Sequence, residues 1–209
     1  MNVLGMFSHP DDEVLGAGGT LAKYRDNGGA AIAFFGRGMM KGESYPQLDV
    51  AQQLWKPGVI PFHMTTDQEF ERIPIRYLAD FAADWIKGFF PNILITHSLS
   101  DLNRDHQIAA EATMIACRRS PVSLILGCQG ERHMRPFVPN YFVDITEQWS
   151  AKVKMLEAYR DFLMPYPDPR SIEGQEVRAR YWGTVAGCEY AEAFELIRRV
   201  ERGTSNVSQ

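Results

Sequence analysis

Val3-Leu4-Gly5-Met6-Phe7-Ser8-His9-Pro10-Asp11-Asp12-Glu13-Val14-Leu15-Gly16-Ala17-Gly18-Gly19 is the stretch whose reading decides the fold. Val3 to Phe7 is a short apolar run of the kind a strand provides, and the proline and glycines after it mark a turn into a helix. Pro10 has a fixed φ and no N–H, which suits the turn or the first helical position. Asp11, Asp12 and Glu13 then meet the positive end of a helix dipole, where carboxylates are favoured. Helix capping accounts for that much without any chemistry. His9 and Asp12, three residues apart across a strand-to-helix turn, can also point at one spot with Asp11 beside them. Two ligands for a divalent metal plus one unbound carboxylate is what metal-assisted hydrolysis needs. These five residues by themselves leave both readings open.

Outward from the turn, Glu13 to Asp26 reads as a helix ended by Gly28-Gly29. Ala30 to Phe35 is a continuous apolar run, as in a strand buried on both faces. A loop to Tyr45, a helix from Pro46 to Lys56 and a strand from Val59 to Met64 follow. Ile75, Leu78, Ala82, Trp85 and Phe89 lie at helical spacing within 73–90, and Asn92 to Thr96 reads as a strand ending at His97. Asp105 to Arg118 is expected to be a helix, Val122 to Leu126 a strand and Tyr141 to Ile145 a short strand. Glu147 to Phe162 is an amphipathic helix stopped by Pro165-Tyr166-Pro167-Asp168-Pro169, and 173–200 reads as mainly helical. Strand and helix alternate about four times, which argues for a parallel sheet covered on both faces. With no repeat or compositional break, the chain is expected to be a single domain over residues 1–209.

Composition narrows the class. The chain has 209 residues, 45% of them hydrophobic and 23% charged, which suits a globular enzyme and excludes a disordered chain. A formal charge of −4 gives no general attraction to nucleic acid or to anionic lipid. Cys117, Cys128 and Cys188 are too scattered for a zinc knuckle and odd in number, so they are expected to be reduced thiols. The opening apolar run is too short for a signal peptide, and no stretch approaches the ~20 apolar residues of a spanning helix. A cytoplasmic protein with no nucleic-acid or membrane partner is expected, and homo-oligomerisation is left open.

Ligands of open parallel sheets bind outside the carboxyl ends of the strands. His9 lies at the end of the first strand. His97 ends a later one, and Asn103-Arg104-Asp105-His106 starts the helix beyond it, on the same rim. Connectivity permits His106 to complete a facial set with His9 and Asp12, leaving coordination positions for water and substrate. Asn103 or Asp105 also suits the helix cap. His97 reads as a strand-end histidine bonded to backbone in preference to a ligand, and His63 and His133 as ordinary surface or loop residues. Asp11 is either a dipole-complementing carboxylate or a general base that takes a proton from water.

Taken together these pieces resemble the LmbE-like/PIG-L family of zinc-dependent N-deacetylases. Ser-His-Pro-Asp-Asp-Glu at 8–13 with Gly16-Ala17-Gly18-Gly19 is similar to the family's first signature, and Asn103-Arg104-Asp105-His106 to its second. Pro139 to Ile145 and Tyr190-Ala191-Glu192-Ala193-Phe194 are similar to later family segments. The resemblance implies an α/β fold, a Rossmann-like three-layer α/β/α sandwich with a mostly parallel sheet. It implies His9, Asp12 and His106 as ligands of Zn2+ and Asp11 as general base. The activity implied is hydrolysis of an acetamido group on a small acetylated amino sugar or sugar conjugate.

Two departures bear on the substrate side. Some relatives carry histidine where this chain has Asn103, which can donate a hydrogen bond to an oxyanion but cannot act as an imidazolium. An arginine–glutamate pair that many relatives carry after the second strand has no counterpart between Lys41 and Gln53. Arg37 and Arg104 are the candidate substrate-binding replacements. The segments Asp101–His106 and Pro169–Glu173 are similar to a bacterial branch associated with sugar and glycan biosynthesis. Two alternatives compete: an amidase of the same family acting on a thiol conjugate, and a dinucleotide-dependent oxidoreductase. Against the latter, G-x-G-x-x-G spacing is absent and three carboxylates occupy the place a pyrophosphate would approach. The donor set also admits iron, cobalt or nickel.

Overall fold

The computed structural model describes residues 1–25, 29–38, 40–41, 44–55, 59–61, 70–131 and 136–201. His63, His133, Gly28 and the end of the expected third strand lie outside these residues. In chain order the described elements are β1 (Val3–Phe7), α1 (Asp12–Arg25), β2 (Ala30–Phe34), α2 (Pro46–Leu54) and β3 (Val59–Pro61). There follow α3 (Ile75–Phe89), β4 (Ile93–His97), α4 (Arg104–Cys117), β5 (Leu124–Cys128), β6 (Tyr141–Asp144), α5 (Trp149–Ala158), α6 (Ile172–Ala186) and β7 (Ala191–Arg199). Among the described residues the sheet has seven strands in the order β3-β2-β1-β4-β5-β7-β6. β1 pairs in parallel with β2 and β4, β2 with β3 and β4 with β5, while β7 runs antiparallel to both neighbours. The fold is the mostly parallel α/β arrangement that strand–helix alternation led one to expect.

Alternation along the central strands builds the two core faces. Val3 and Phe7 of β1, with Ile32 and Phe34 of β2, pack under α1, α2 and α5. Leu4 and Met6, with Ala31 and Ala33, face the opposite way into Leu78, Ala82 and Ile86 of α3 and Ile108, Ala109 and Ala112 of α4. Both sets are buried, which is why these strands read as unbroken apolar runs.

One expectation is corrected. Residues 173–200 are not mainly helical: α6 stops at Ala186, and 191–199 is β7. Ala, Glu, Leu and Arg are good helix formers, but insertion between β5 and β6 overrides that local preference. Gly187, at φ 80°, ends α6 in the left-handed conformation that glycine adopts freely. The helix expected over 147–162 is also shorter, with 3-10 turns at Thr146–Gln148 and Arg160–Phe162 flanking α5.

A kink within α1 has a large effect on the interior. Ala17 leaves helical geometry at φ −151° and ψ 17°, so the helix acquires an internal end and an internal start, each with unpaired backbone groups. Leu15 O, on the first side, accepts from Arg178 Nη2 at 2.8 Å and from Lys152 Nζ at 3.4 Å. Gly19 N and Thr20 N, on the second, donate to Glu192 Oε1 and Oε2 at 2.9 and 2.8 Å. Lys152 and Glu192 pair at 2.7 Å, both side chains buried. Without a carboxylate at 192, the kink would leave two buried N–H donors unsatisfied, and without a cation at 152 that carboxylate would lose its buried partner.

Gly19 passes against Ile145, where an added Cβ would come within 2.7 Å of Ile145 Cδ1 and 2.9 Å of its Cβ. Replacing glycine by alanine in an exposed helix stabilises by ~1 kcal/mol. Here Gly19→Ala is expected to destabilise by about 1–3 kcal/mol through overpacking. Thermal unfolding should show a Tm lowered by roughly 2–12 °C, and an unchanged or higher Tm would mean that Ile145 yields.

Candidate functional site

β1 and β4 lie side by side at the centre of the sheet, and the strand order runs outward from them in both directions. Their carboxyl ends therefore open a crevice at the switch point. A cavity of about 460 Å³ lies there, lined among others by His9, Asp11, Asp12, Asn103, Asp105 and His106.

The turn between β1 and α1 sets the first half. Asp11 sits at φ 115°, a left-handed conformation that is strained for a residue with a Cβ. Several contacts impose it. Val14 N and Leu15 N donate to Asp11 O, at 3.0 and 2.9 Å. Asp11 N donates to Glu13 Oε2 at 2.8 Å. Glu13 is fully buried, and its other oxygen accepts from Trp55 Nε1 and Tyr159 OH at 3.1 and 2.8 Å. Burial pushes the Glu13 carboxyl up to about 7, against the pull of those donors. Glu13 is thus a scaffold for the turn and does not line the cavity. His9 N donates to Asp12 Oδ2 at 2.8 Å, holding the Asp12 carboxylate beside His9.

The second half descends from β4 and the start of α4. Asn103 caps α4 by accepting from Asp105 N at 3.0 Å. His106, one turn into the helix, points Nε2 at Asp12 Oδ1, 3.3 Å away, and Nδ1 at Asp101 Oδ2, 3.0 Å away. His9 places Nε2 3.0 Å from Asp105 Oδ2 and Nδ1 3.4 Å from Asp12 Oδ2. Each of these imidazoles has one nitrogen engaged by a carboxylate and the other directed at Asp12. Donor atoms of His9, Asp12 and His106 lie within 4.8 Å of one another.

His97, Asp101 and His106 form a second such group, fully buried. In it His97 Nε2 accepts from Ser8 N at 2.9 Å, and Asp101 bonds His106. His97 is the backbone-bonded strand-end residue, and it stacks on His106 with ring centroids 3.9 Å apart.

Asp11 lies beside the group, with its Oδ2 accepting from Gln47 Nε2 at 3.1 Å and from Arg170 Nη2 at 2.6 Å. Arg170 also pairs with Glu131 at 3.2 Å. Arg104 lines the cavity and pairs with Glu71 at 2.8 Å, while Arg37 is not among the lining residues and holds its guanidinium 5.1 Å over the Tyr45 ring. Sequence reading gives no role to Asp101, Gln47, Glu131 or Arg170, although Asp101 and Arg170 fall within the segments 101–106 and 169–173 that resemble a bacterial branch of the family. Asp101 carries a signal, a carboxylate a few residues before a candidate ligand histidine. The resemblance at 169–173 marks the segment of Arg170 but not its contact with Asp11, 159 residues away.

Electrostatics divide the two acidic neighbours. Burial and the Asp12 charge push Asp11 well above the usual carboxylate range, and Arg170 only partly offsets them. Burial also opposes ionisation of Asp12, but His106, His9 and His97 together hold it well below that range. Burial would lower His106, yet Asp12 and Asp101 raise it to about 10. His97 is lowered to about 3, by burial first and then by the His106 charge.

These shifts act on stability in opposite directions. Between about 3 and 6.5 the unfolded chain takes up the His97 proton that the native state refuses, so stability falls as pH drops through that window. Between 6.5 and about 10 the native state keeps the His106 proton, so that contribution is present at low pH and lost as pH rises. Glu13, raised to about 7, adds a contribution that is also lost as pH rises, and it offsets that of His97 between about 4.5 and 6.5. In chelator, Tm is therefore expected to fall as pH rises from about 6.5 towards 10. A profile that is flat or rising from about pH 6.5 to 9 would contradict these assignments.

Solved structures similar to this chain share its fold. A conserved protein of Thermus thermophilus has 22% identity and a TM-score of 0.76, with 99% of each chain covered. The N,N'-diacetylchitobiose deacetylase of Pyrococcus horikoshii has 19% identity and a TM-score of 0.72, over 94% of this chain and 83% of that one. The 4-carboxy-2-hydroxymuconate hydratase GalB of Pseudomonas putida has 20% identity and a TM-score of 0.67, over 100% of both chains. No curated protein matches the chain at the sequence level. The family model described as PIG-L, GlcNAc-PI de-N-acetylase, matches residues 4–117, more than half of the chain, and the chain belongs to that family.

Proposed function

We propose that this protein is a metal-dependent N-deacetylase that hydrolyses an acetamido group on an amino sugar or sugar conjugate. The observation that carries the reading is the convergence of His9, Asp12 and His106 on the cavity, with donor atoms within 4.8 Å. The donor set fits a divalent cation. Asp101 and Asp105 engage one nitrogen of each imidazole, the carboxylate–histidine arrangement that fixes tautomer and ring orientation in metal sites. Two imidazoles and one carboxylate suit zinc with positions left for water and substrate. Zinc in such a site supplies Lewis acidity, lowering the pKa of water and polarising a carbonyl.

The chain's own residues supply the rest. Asp11 is buried beside the three ligands with a raised pKa, which suits a base that takes a proton from the attacking water. Once protonated, it hands that proton to the leaving amine. Asn103 lines the cavity with Oδ1 committed to the helix cap, so Nδ2 remains to donate to the developing oxyanion. Arg104, on the rim, is placed to meet substrate hydroxyls.

Cavity charge supports a neutral substrate. Both arginines that line it are paired with carboxylates, Arg104 with Glu71 and Arg170 with Asp11 and Glu131. Carboxylate or phosphate substrates thus find no unpaired guanidinium among the described lining residues. Nor does the glycine-rich segment offer a phosphate site, since Gly19 N and Thr20 N already donate to Glu192. That argues against a dinucleotide-dependent oxidoreductase.

Metal analysis of protein purified without added metal, followed by acetate release from a panel of acetylated amino sugars and thiol conjugates, tests the proposal. Asp11→Asn is expected to keep the metal and lower turnover by ~10²–10⁴. Loss of metal and activity together, or of neither, would remove Asp11 from the role of base. Asp101→Asn is expected to weaken metal affinity by ~10–100-fold, read by competition with a chelating dye. Unchanged affinity would show that Asp101 does not orient His106.

A further inference from the structure

The Asp11 carboxylate is held asymmetrically. Both side-chain donors that reach it, Gln47 Nε2 and Arg170 Nη2, bind the same oxygen, Oδ2. Oδ1 accepts no hydrogen bond among the described residues, although the side chain lies on the cavity wall. Arg170 comes from the segment before α6, and Gln47 from α2. It is itself fixed, since Nη2 also donates to Phe162 O at 3.3 Å and Nε lies 3.2 Å from Glu131 Oε1. Its side chain is one quarter exposed, against one twentieth for Asp11, so it stands between the carboxylate and solvent.

A carboxylate on a strained turn can rotate about χ2 at little cost, because that torsion is broad. As a base it must keep one oxygen aimed at the reacting water, and small misplacements lower rates steeply. Resting on the assignment of Asp11 as base, we propose that Arg170 is a positioning residue that clamps Asp11 Oδ2 and leaves Oδ1 to receive the proton. Gln47 donates a single neutral hydrogen bond to the same oxygen, whereas the Arg170 bond is charge-assisted and the stronger of the two.

Arg170→Met, Arg170→Lys and Asp11→Asn are compared with the wild-type holoenzyme in acetate release, with metal content and Tm measured on each. In Arg170→Met, kcat is expected to fall by about tenfold to a hundredfold. KM should stay within about twofold and the metal content unchanged, as for an interaction felt only in the transition state. Arg170→Lys should recover part of kcat, because an ammonium restores the charge but not the planar fork. Wild-type kcat in Arg170→Met alongside an inactive Asp11→Asn would overturn the clamp and leave the base in place. An active Asp11→Asn would instead remove the base itself. A loss confined to KM would make Arg170 a substrate contact, and a loss matched by falling Tm with no recovery in Arg170→Lys would make it structural; either overturns the proposal. Should Arg170→Met fail to fold, the kcat and KM of Arg170→Lys decide by the same criterion.

Discussion

Between β1 and α1 the backbone has to turn so sharply that His9, Asp11 and Asp12 all face the same rim, and it does so by holding Asp11 at φ 115°. A conformation of that kind costs ~1–3 kcal/mol and persists only where the surroundings over-determine it. Here they do. Glu13 captures the Asp11 N–H from below, anchored by Trp55 of the α2 end and Tyr159 beyond α5. The backbone N–H groups of Val14 and Leu15 fix the carbonyl. Glycine would adopt the same angle without strain, but it would bring no carboxylate to the cavity.

The interior is equally constrained by polar demand. Breaking α1 at Ala17 brings glycines close to Cys128 and Ile145, and exposes backbone groups that must be paired. Lys152 from α5, Arg178 from α6 and Glu192 from β7 pair them, each from a different later element. A buried ion pair of this sort is weak evidence of net stabilisation. Its geometric role is plainer: it joins the helix that bears the site to the last third of the chain.

Much of this is legible in the residues. Apolar runs of five or six mark the central strands because both faces of those strands are covered, and the His9–Asp12 spacing with Asn103 to His106 marks two halves of one rim. β7 reads as helix because its composition favours one, and only its place between β5 and β6 makes it a strand. Arg37 suggests itself as a replacement for the missing arginine–glutamate pair, yet it lies over the Tyr45 ring and is not among the residues lining the cavity. Arg170 lies in a segment whose resemblance is legible, but its role is not, for the opposite reason. Its importance comes from a contact across most of the chain, and local pattern carries no trace of such pairings. Asp101 lies between, near enough to His106 to be noticed but indistinguishable from a loop carboxylate until both are placed.

The kink in α1 also orders events in time. Gly19 and Thr20 take their partner from a carboxylate borne on β7, so during synthesis that pairing comes only after the 173 positions from Gly19 to Glu192 have been added. Contacts of such sequence separation are slow to form. Residues translated early thus reach their places at the cavity only late, and a nascent chain halted before β7 should carry His9, Asp12 and His106 without the architecture that brings them together.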